Sequence, residues 1–228
     1  MVSPFAWFKW QALLTDWKVL VEGLGQTVLA AVLALLLALA LGALMGVLGA
    51  APWRPARWLN RIYVEFIQNT PLVAQIFFLY YGLPHLGVDL PVLAVGVLGL
   101  GIYHGAYIAE VVRAGIQAVH RGQLEAAYSQ GFTYAGAMRH IILPQASRVV
   151  IPPLTNQAVA LIKNSAVLAM VSGGDLMFHA DSWSSDTGYY GPAYALAGLL
   201  YFALCFPLAT YARQLEERLH FKREVRAA

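Results

Sequence analysis

The chain has 228 residues, of which 59% are hydrophobic and only 12% are charged. Soluble domains carry about 25% charged residues, so this composition excludes a water-soluble globule and indicates an integral membrane protein. The net charge of +3 calls for no anionic or nucleic-acid partner, since the placement of the basic residues explains it, and the single Cys205 excludes an internal disulfide or a cysteine metal site.

Residues 1–22 read as an interfacial N-terminal segment. They lack the basic stretch, short apolar core and small-residue cleavage site of a signal peptide. Phe5, Trp7, Phe8, Trp10 and Trp17 alternate with Lys9, Asp16 and Lys18. Aromatic rings with flanking lysines favour the membrane–water boundary, and a short helix lying there is expected. The alternative is an unstructured lead-in.

Five membrane spans follow, each needing about 20 apolar residues. No charge occurs between Gly23 and Trp53, which places the first near 24–50; Pro52, Arg54, Pro55 and Arg57 break it. The second covers Ile62 to Tyr81 and closes at Gly82-Leu83-Pro84. The third runs from Pro91 to about Val112. A polar insert occupies roughly Arg113 to Arg148. The fourth covers Val149 to Val171. A Ser/Gly/Asp-rich loop spans Ser172 to Gly188, and the fifth runs from Tyr190 to about Tyr211, with a charged tail from Arg213. The expected fold is therefore an all-α integral membrane protein with five transmembrane helices.

Lys and Arg mark the cytoplasmic side. Arg54, Arg57, Arg61, Arg113, Arg121, Arg139, Arg148, Arg213, Arg218, Lys222, Arg223 and Arg226 all fall at one set of span ends. The other side has only Lys9 and Lys18, and its later loops carry Asp89, Asp175, Asp181 and Asp186 without a basic residue. The N-terminus is thus expected outside, and the insert and the C-terminus in the cytoplasm.

Inside the insert, Gln123 to Tyr128 favours helix. Gly131 can take backbone angles that end one short helix and turn the chain into the next. Thr133 is positioned to cap that second helix, and Pro144 to stop it. Two short helices along the membrane surface result. Glu125 near a helix start is favoured by the helix dipole, while Ala126 and Ala127 permit close approach of another surface. An ordinary amphipathic surface helix with a solvated Glu125 is the alternative on these grounds alone.

The spacing then decides. Gly122, Glu125-Ala126-Ala127, three residues, Gly131, nine residues, Ile141, one residue and Leu143-Pro144 resemble the EAA coupling loop of ABC-importer permeases. Further likenesses surround it. Asn69-Thr70-Pro71-Leu72-Val73, Gly105 to Glu110 with Arg113-Ala114-Gly115-Ile116, and Lys163-Asn164-Ser165-Ala166 are similar to spans of the histidine/glutamate/glutamine branch of polar amino-acid permeases. The resemblance covers about Gly23 to Leu219. It implies a type I ABC-importer fold, with a permease domain over 23–219 whose coupling loop is 114–147, and a cytoplasmic tail over 220–228. It also implies a separate ABC ATPase dimer that binds the ATP, a second permease subunit, identical or related, an extracytoplasmic solute-binding protein, and a place in the bacterial inner membrane. Two positions depart from the pattern: Gln68 stands where the family often has Arg, and Ala166 where it usually has a second Ser.

A charge inside a span costs about 2.5–3.5 kcal/mol on insertion scales, so it is a functional candidate by default. Lys163 is that case, about 22 Å past Arg148 along a helix. Asn156 and Gln157 precede Lys163 and Asn164 by seven residues each, close to two turns, so they form adjacent stripes. Gln68 and Gln75 share that spacing, and Asn69 and Ser165 adjoin these stripes. They face either a substrate pathway or, as hydrogen-bonding glue, a neighbouring helix. Lys163 or Asn164 would hold an amino-acid carboxylate. No carboxylate lies mid-span: Glu65 and Glu110 sit near span ends. This disfavours arginine or lysine as cargo and favours glutamate, aspartate or glutamine.

No enzyme or cofactor signature accompanies these features. The chain has no phosphate-binding loop followed by Lys-Ser/Thr, so ATP hydrolysis belongs to a partner. His179 and Asp181 are two metal ligands without a third. Ser165 and Ser172 have no histidine base in a span except His104, against an intramembrane protease. An autonomous secondary transporter or channel is the rival reading. It requires intramembrane carboxylates or ion sites.

Overall fold

A computed structural model describes residues 3–227, with side chains through residue 217. The predicted tail 220–228 therefore has its side chains outside the described residues, as do the basic residues from Arg218 onward. The described chain is helical throughout. In order the helices are α1 (Trp7–Thr15), α2 (Trp17–Ala50), α3 (Arg54–Gln68), α4 (Leu72–Phe77), α5 (Val92–Gln117), α6 (Arg121–Ser129), α7 (Tyr134–Ala137), α8 (Leu143–Asn164), α9 (Leu176–Thr187) and α10 (Tyr190–Ala227). Among the described residues four stretches are long and apolar enough to cross a membrane: Trp17–Ala50, Val92–Gln117, Tyr134–Val171 and Tyr190–Glu217. The broken pair Arg54–Gln68 and Leu72–Leu86 makes a fifth if counted as one span.

Several boundaries differ from the sequence expectation. The first span begins at Trp17, so 22/23 is no element boundary. Arg54 to Arg61 does not merely terminate it but starts α3, where Pro55 occupies a first-turn position that needs no amide donor. The second span is not continuous. Asn69 caps α3, Pro71 precedes α4, and the chain goes on through a π-turn at Phe78–Gly82 into a 3₁₀ turn at Leu83–Leu86. The third span runs past Val112 to Gln117. Pro144 stops nothing. A π-turn at Met138–Ile142 joins α7 to α8, and Pro144 falls in the first turn of α8, where a missing N–H is tolerated. The loop 172–188 contains α9, capped by Asp175, whose side chain accepts from the Met177 amide. The fifth span has no stop at Tyr211: its helix carries on through Arg213.

The chain divides into two compact units. The first comprises Met1–Leu37, Thr70–Gly101 and Val159–Pro207. Its core is Leu13, Leu20, Leu176, Ala180, Trp183, Ala193 and Ala197. Trp183 Nε1 donates to Asp16 at 2.9 Å and the Leu176 amide to Thr27 Oγ1 at 2.9 Å, which tie α9 to the α1–α2 region. On α2, Ala30, Ala31 and Ala34 are buried while Leu29, Val32 and Leu36 are exposed. Small residues inward and large ones outward is the arrangement for helices packed in lipid.

The second unit comprises Ala38–Asn69, Ile102–Ala158 and Leu208–Ala228. Here α2 and α5 meet through small residues. A Cβ added at Gly46 would lie 2.6 Å from the Ala109 carbonyl oxygen and from Val112 Cβ. Gly105 in turn faces the Tyr63 hydroxyl, which donates to the Ile102 carbonyl at 2.7 Å. A core of Ile116, Met138, Ile142 and Ala146 lies at the end of this unit that carries α6.

Candidate functional site

The sequence-predicted docking segment is α6 and the chain that follows it. His120 caps α6, its Nδ1 accepting from the Gly122 amide at 3.1 Å. The other end is a Schellman closure: Gly131 N–H donates to the Tyr128 carbonyl at 2.9 Å and Phe132 N–H to the Ala127 carbonyl at 3.1 Å. That geometry needs a residue at positive φ, and Gly131 has φ 81°. Thr133 then caps α7, its Oγ1 accepting from the Gly136 amide at 3.2 Å.

The motif residues divide between two faces. Ala127 is buried (1% exposed), and Ile141 and Leu143 pack against the core of Ile116 and Met138, alongside Leu124 and Tyr134. Glu125, Ala126 and Pro144 are exposed, with Tyr128 and Phe132 beside them. Gln145 ties the segment together, donating to the Gln123 amide oxygen at 3.2 Å and to the Ile141 carbonyl at 2.9 Å. Glu125 occupies the second turn of α6 rather than its start, beyond the free amides, so the dipole argument for it does not hold. The result is a short, locked helix with a carboxylate, a small residue and an aromatic ring on its exposed face.

The interior polar candidates have varied partners. Gln68 donates to the Ala106 carbonyl at 3.3 Å, and Asn69 back to the Glu65 carbonyl at 2.7 Å. Gln75 donates to Thr70 Oγ1 at 2.8 Å. Gln157 Oε1 lies 3.2 Å from His104 Nδ1, while Asn156 is exposed on the same helix. Lys163 is exposed at the end of α8, and Asn164 begins the 3₁₀ segment Ser165–Val171. Ser165 is fully buried and donates to the Ile162 carbonyl at 2.7 Å.

One cluster was not anticipated. A cavity of about 420 Å³ lies among α3 and the ends of α2 and α5, lined by Arg57, Asn60, Arg61, Glu65 and Arg113. Its signal is present in the sequence. Arg57, Asn60, Arg61, Val64, Glu65 and Gln68 recur at helical spacing, but the break read at Pro52 to Arg57 and the span start at Ile62 divide them.

Comparison with known proteins decides the family. Residues 38–221 match the family described as "Binding-protein-dependent transport system inner membrane component". The chain belongs to this family. Its relatives include the "Probable glutamine ABC transporter permease protein GlnM" of Bacillus subtilis (strain 168), 45% identical over 207 residues, covering 91% of this chain and 96% of the relative. The "Arginine transport system permease protein ArtQ" of the same organism is 32% identical over 201 residues, covering 88% and 92%. The crystal structure of an amino acid ABC transporter with histidines aligns with a TM-score of 0.84 at 32% identity, covering 92% of this chain and 98% of that one. This binding-protein-dependent inner-membrane component is thus an all-helical, multi-pass ABC-transporter permease with a type I importer-like fold.

Proposed function

We propose that the chain is the permease subunit of an ATP-driven importer for polar amino acids, with glutamine the preferred candidate. The carrying observation is α6: the EAA spacing starts on this helix, which its Schellman closure at Gly131 locks, with Glu125 and Ala126 exposed and Ala127 buried. In this reading α6 docks on a separate ABC ATPase dimer, which binds and hydrolyses ATP. A second permease subunit completes the pathway, and an extracytoplasmic solute-binding protein delivers the cargo. Closure of the ATPases draws the two coupling loops together and rocks the bundles between inward- and outward-facing states.

Topology follows the basic residues: N-terminus outside, with coupling loop 114–147 and tail 220–228 in the cytoplasm. The segment ahead of α2 lies at the interface, and the permease domain runs from α2 to 219. Lys163 or Asn164 receives the substrate carboxylate, with Gln68, Asn69, Gln75, Asn156, Gln157 and Ser165 along the route. The named relatives include a glutamine and an arginine permease, so kinship alone does not choose the cargo. The carboxylates of the second and third spans support a neutral or acidic cargo over a cationic one: Glu65 and Glu110 pair with Arg61 and Arg113, each at 2.6 Å.

The test is ATP hydrolysis by the reconstituted permease–ATPase complex, with binding protein loaded in turn with each amino acid. Stimulation by glutamine and not by arginine supports the reading. Failure of the ATPase to associate with this chain overturns it.

A further inference from the structure

Gln157 differs from the other interior amides in what it leaves unused. Gln68, Asn69 and Gln75 each donate to a neighbour inside the protein. Gln157 does the reverse. Its Oε1 lies 3.2 Å from His104 Nδ1, and its Nε2 donates to nothing among the described residues. An amide oxygen only accepts, so His104 Nδ1 carries the proton in this contact. Gln157 is half-buried and stands nine residues past Arg148. That is about 14 Å along α8, near the middle of a hydrocarbon core about 30 Å thick. An unmet N–H is costly against lipid at that depth, so the amino group belongs to a wet or cargo-facing surface.

His104 holds that orientation. It is 2% exposed on α5. Its ring packs edge-on against Tyr103 at 5.4 Å and tilted against Tyr107 at 6.4 Å, and the two tyrosine hydroxyls lie 3.1 Å apart. A reversed Gln157 amide would set N–H against N–H. The oxygen is therefore kept towards α5 and the amino group away from it.

We propose that His104 is a positioning residue for cargo selection: it presents the Gln157 amino group to the oxygen that ends the cargo's side chain. The inference rests on the importer reading above, in which Gln157 lies on the route. The ligand class is an amino acid with a side-chain amide or carboxylate, such as glutamine or glutamate. Both have an oxygen to accept from Nε2. Arginine and lysine end in donors alone. Either would leave donors facing each other, so the pair acts against them.

The test is equilibrium binding of labelled glutamine and labelled arginine to the purified permease–ATPase complex, with no binding protein present, so that its selectivity does not enter. The wild type binds glutamine in preference. His104→Leu lowers that preference about fivefold, the worth of one neutral hydrogen bond. His104→Asn, whose amide donates from nearly the same place, keeps it. Gln157→Glu, which puts an acceptor where the amino group stood, turns the preference towards arginine. Thermal midpoints of the same variants report the helix contact separately. The proposal is overturned if His104→Leu lowers the midpoint but keeps the preference, or if Gln157→Glu gains nothing for arginine. In either case the importer reading stands, since ATPase association and stimulation are measured apart. A wild type that binds neither amino acid removes the substrate route from this subunit, and the proposal with it.

Discussion

The amide of Phe132 donates to the carbonyl of Ala127 at 3.1 Å, and this bond closes α6 only because Gly131 between them stands at φ 81°. The fixed glycine of the EAA-like spacing thereby has a physical cause. It holds the exposed Glu125-Ala126 edge at a set angle to the chain that leads into α8.

Gly131→Ala should accordingly cost about 1–2 kcal/mol, the penalty of a left-handed residue with a side chain. The expected outcome is loss of ATPase association or stimulation with little change in total helicity. Co-purification and circular dichroism check the two halves.

The adjacent alanines should separate folding from docking. Ala127→Leu inserts volume into a closed core and should destabilise by about 1–3 kcal/mol, seen as a lower thermal midpoint of the isolated permease. Ala126→Leu, on the exposed face, should leave that midpoint unchanged and weaken ATPase binding.

How much of this was legible in the sequence varies with the signal. Uncharged runs and arginine placement located α2, α5 and α10, because desolvation of charge leaves an unmistakable pattern. The start of α3 is masked in the sequence because Arg54, Pro55 and Arg57 resemble a stop, although a proline in the first turn also starts a helix. Helix α9 hid in a Ser/Asp/Gly composition, yet Asp175 before Leu176 and Gly188 after Thr187 are its cap residues. Pro144 reads as a terminator in the sequence; the π-turn that admits it has no sequence mark. The motif spacing identified α6, whereas the division of Ala126 outward and Ala127 inward depends on tertiary packing. The same holds for the partners of Gln68 and Gln157, which are helix neighbours in the structure.

Gly46 should tolerate no side chain. The nearest obstacles to a Cβ include the Ala109 carbonyl, a backbone atom that cannot rotate away. Gly46→Val should separate α2 from α5 and lower the thermal midpoint in detergent, while Gly25→Val, with nothing within 4 Å, should not.

Asp175 gives a pH signature. Burial raises its carboxyl above the usual range, against the lowering by hydrogen bonds from neighbouring amides and Tyr201. The folded state then holds a proton that the unfolded state has released. Stability from this group should fall as pH rises from about 4 towards the raised value. Asp175→Asn keeps an N-cap and should remove that slope; thermal midpoints of the two proteins across this range decide it.

The central claim is ATP-driven, binding-protein-dependent import, and its most direct measurement is uptake of labelled glutamine into proteoliposomes holding this permease with its ATPase. With ATP on the ATPase side and binding protein on the other, the account predicts accumulation that stops when either is omitted. Uptake that needs neither and instead follows an ion gradient would contradict it.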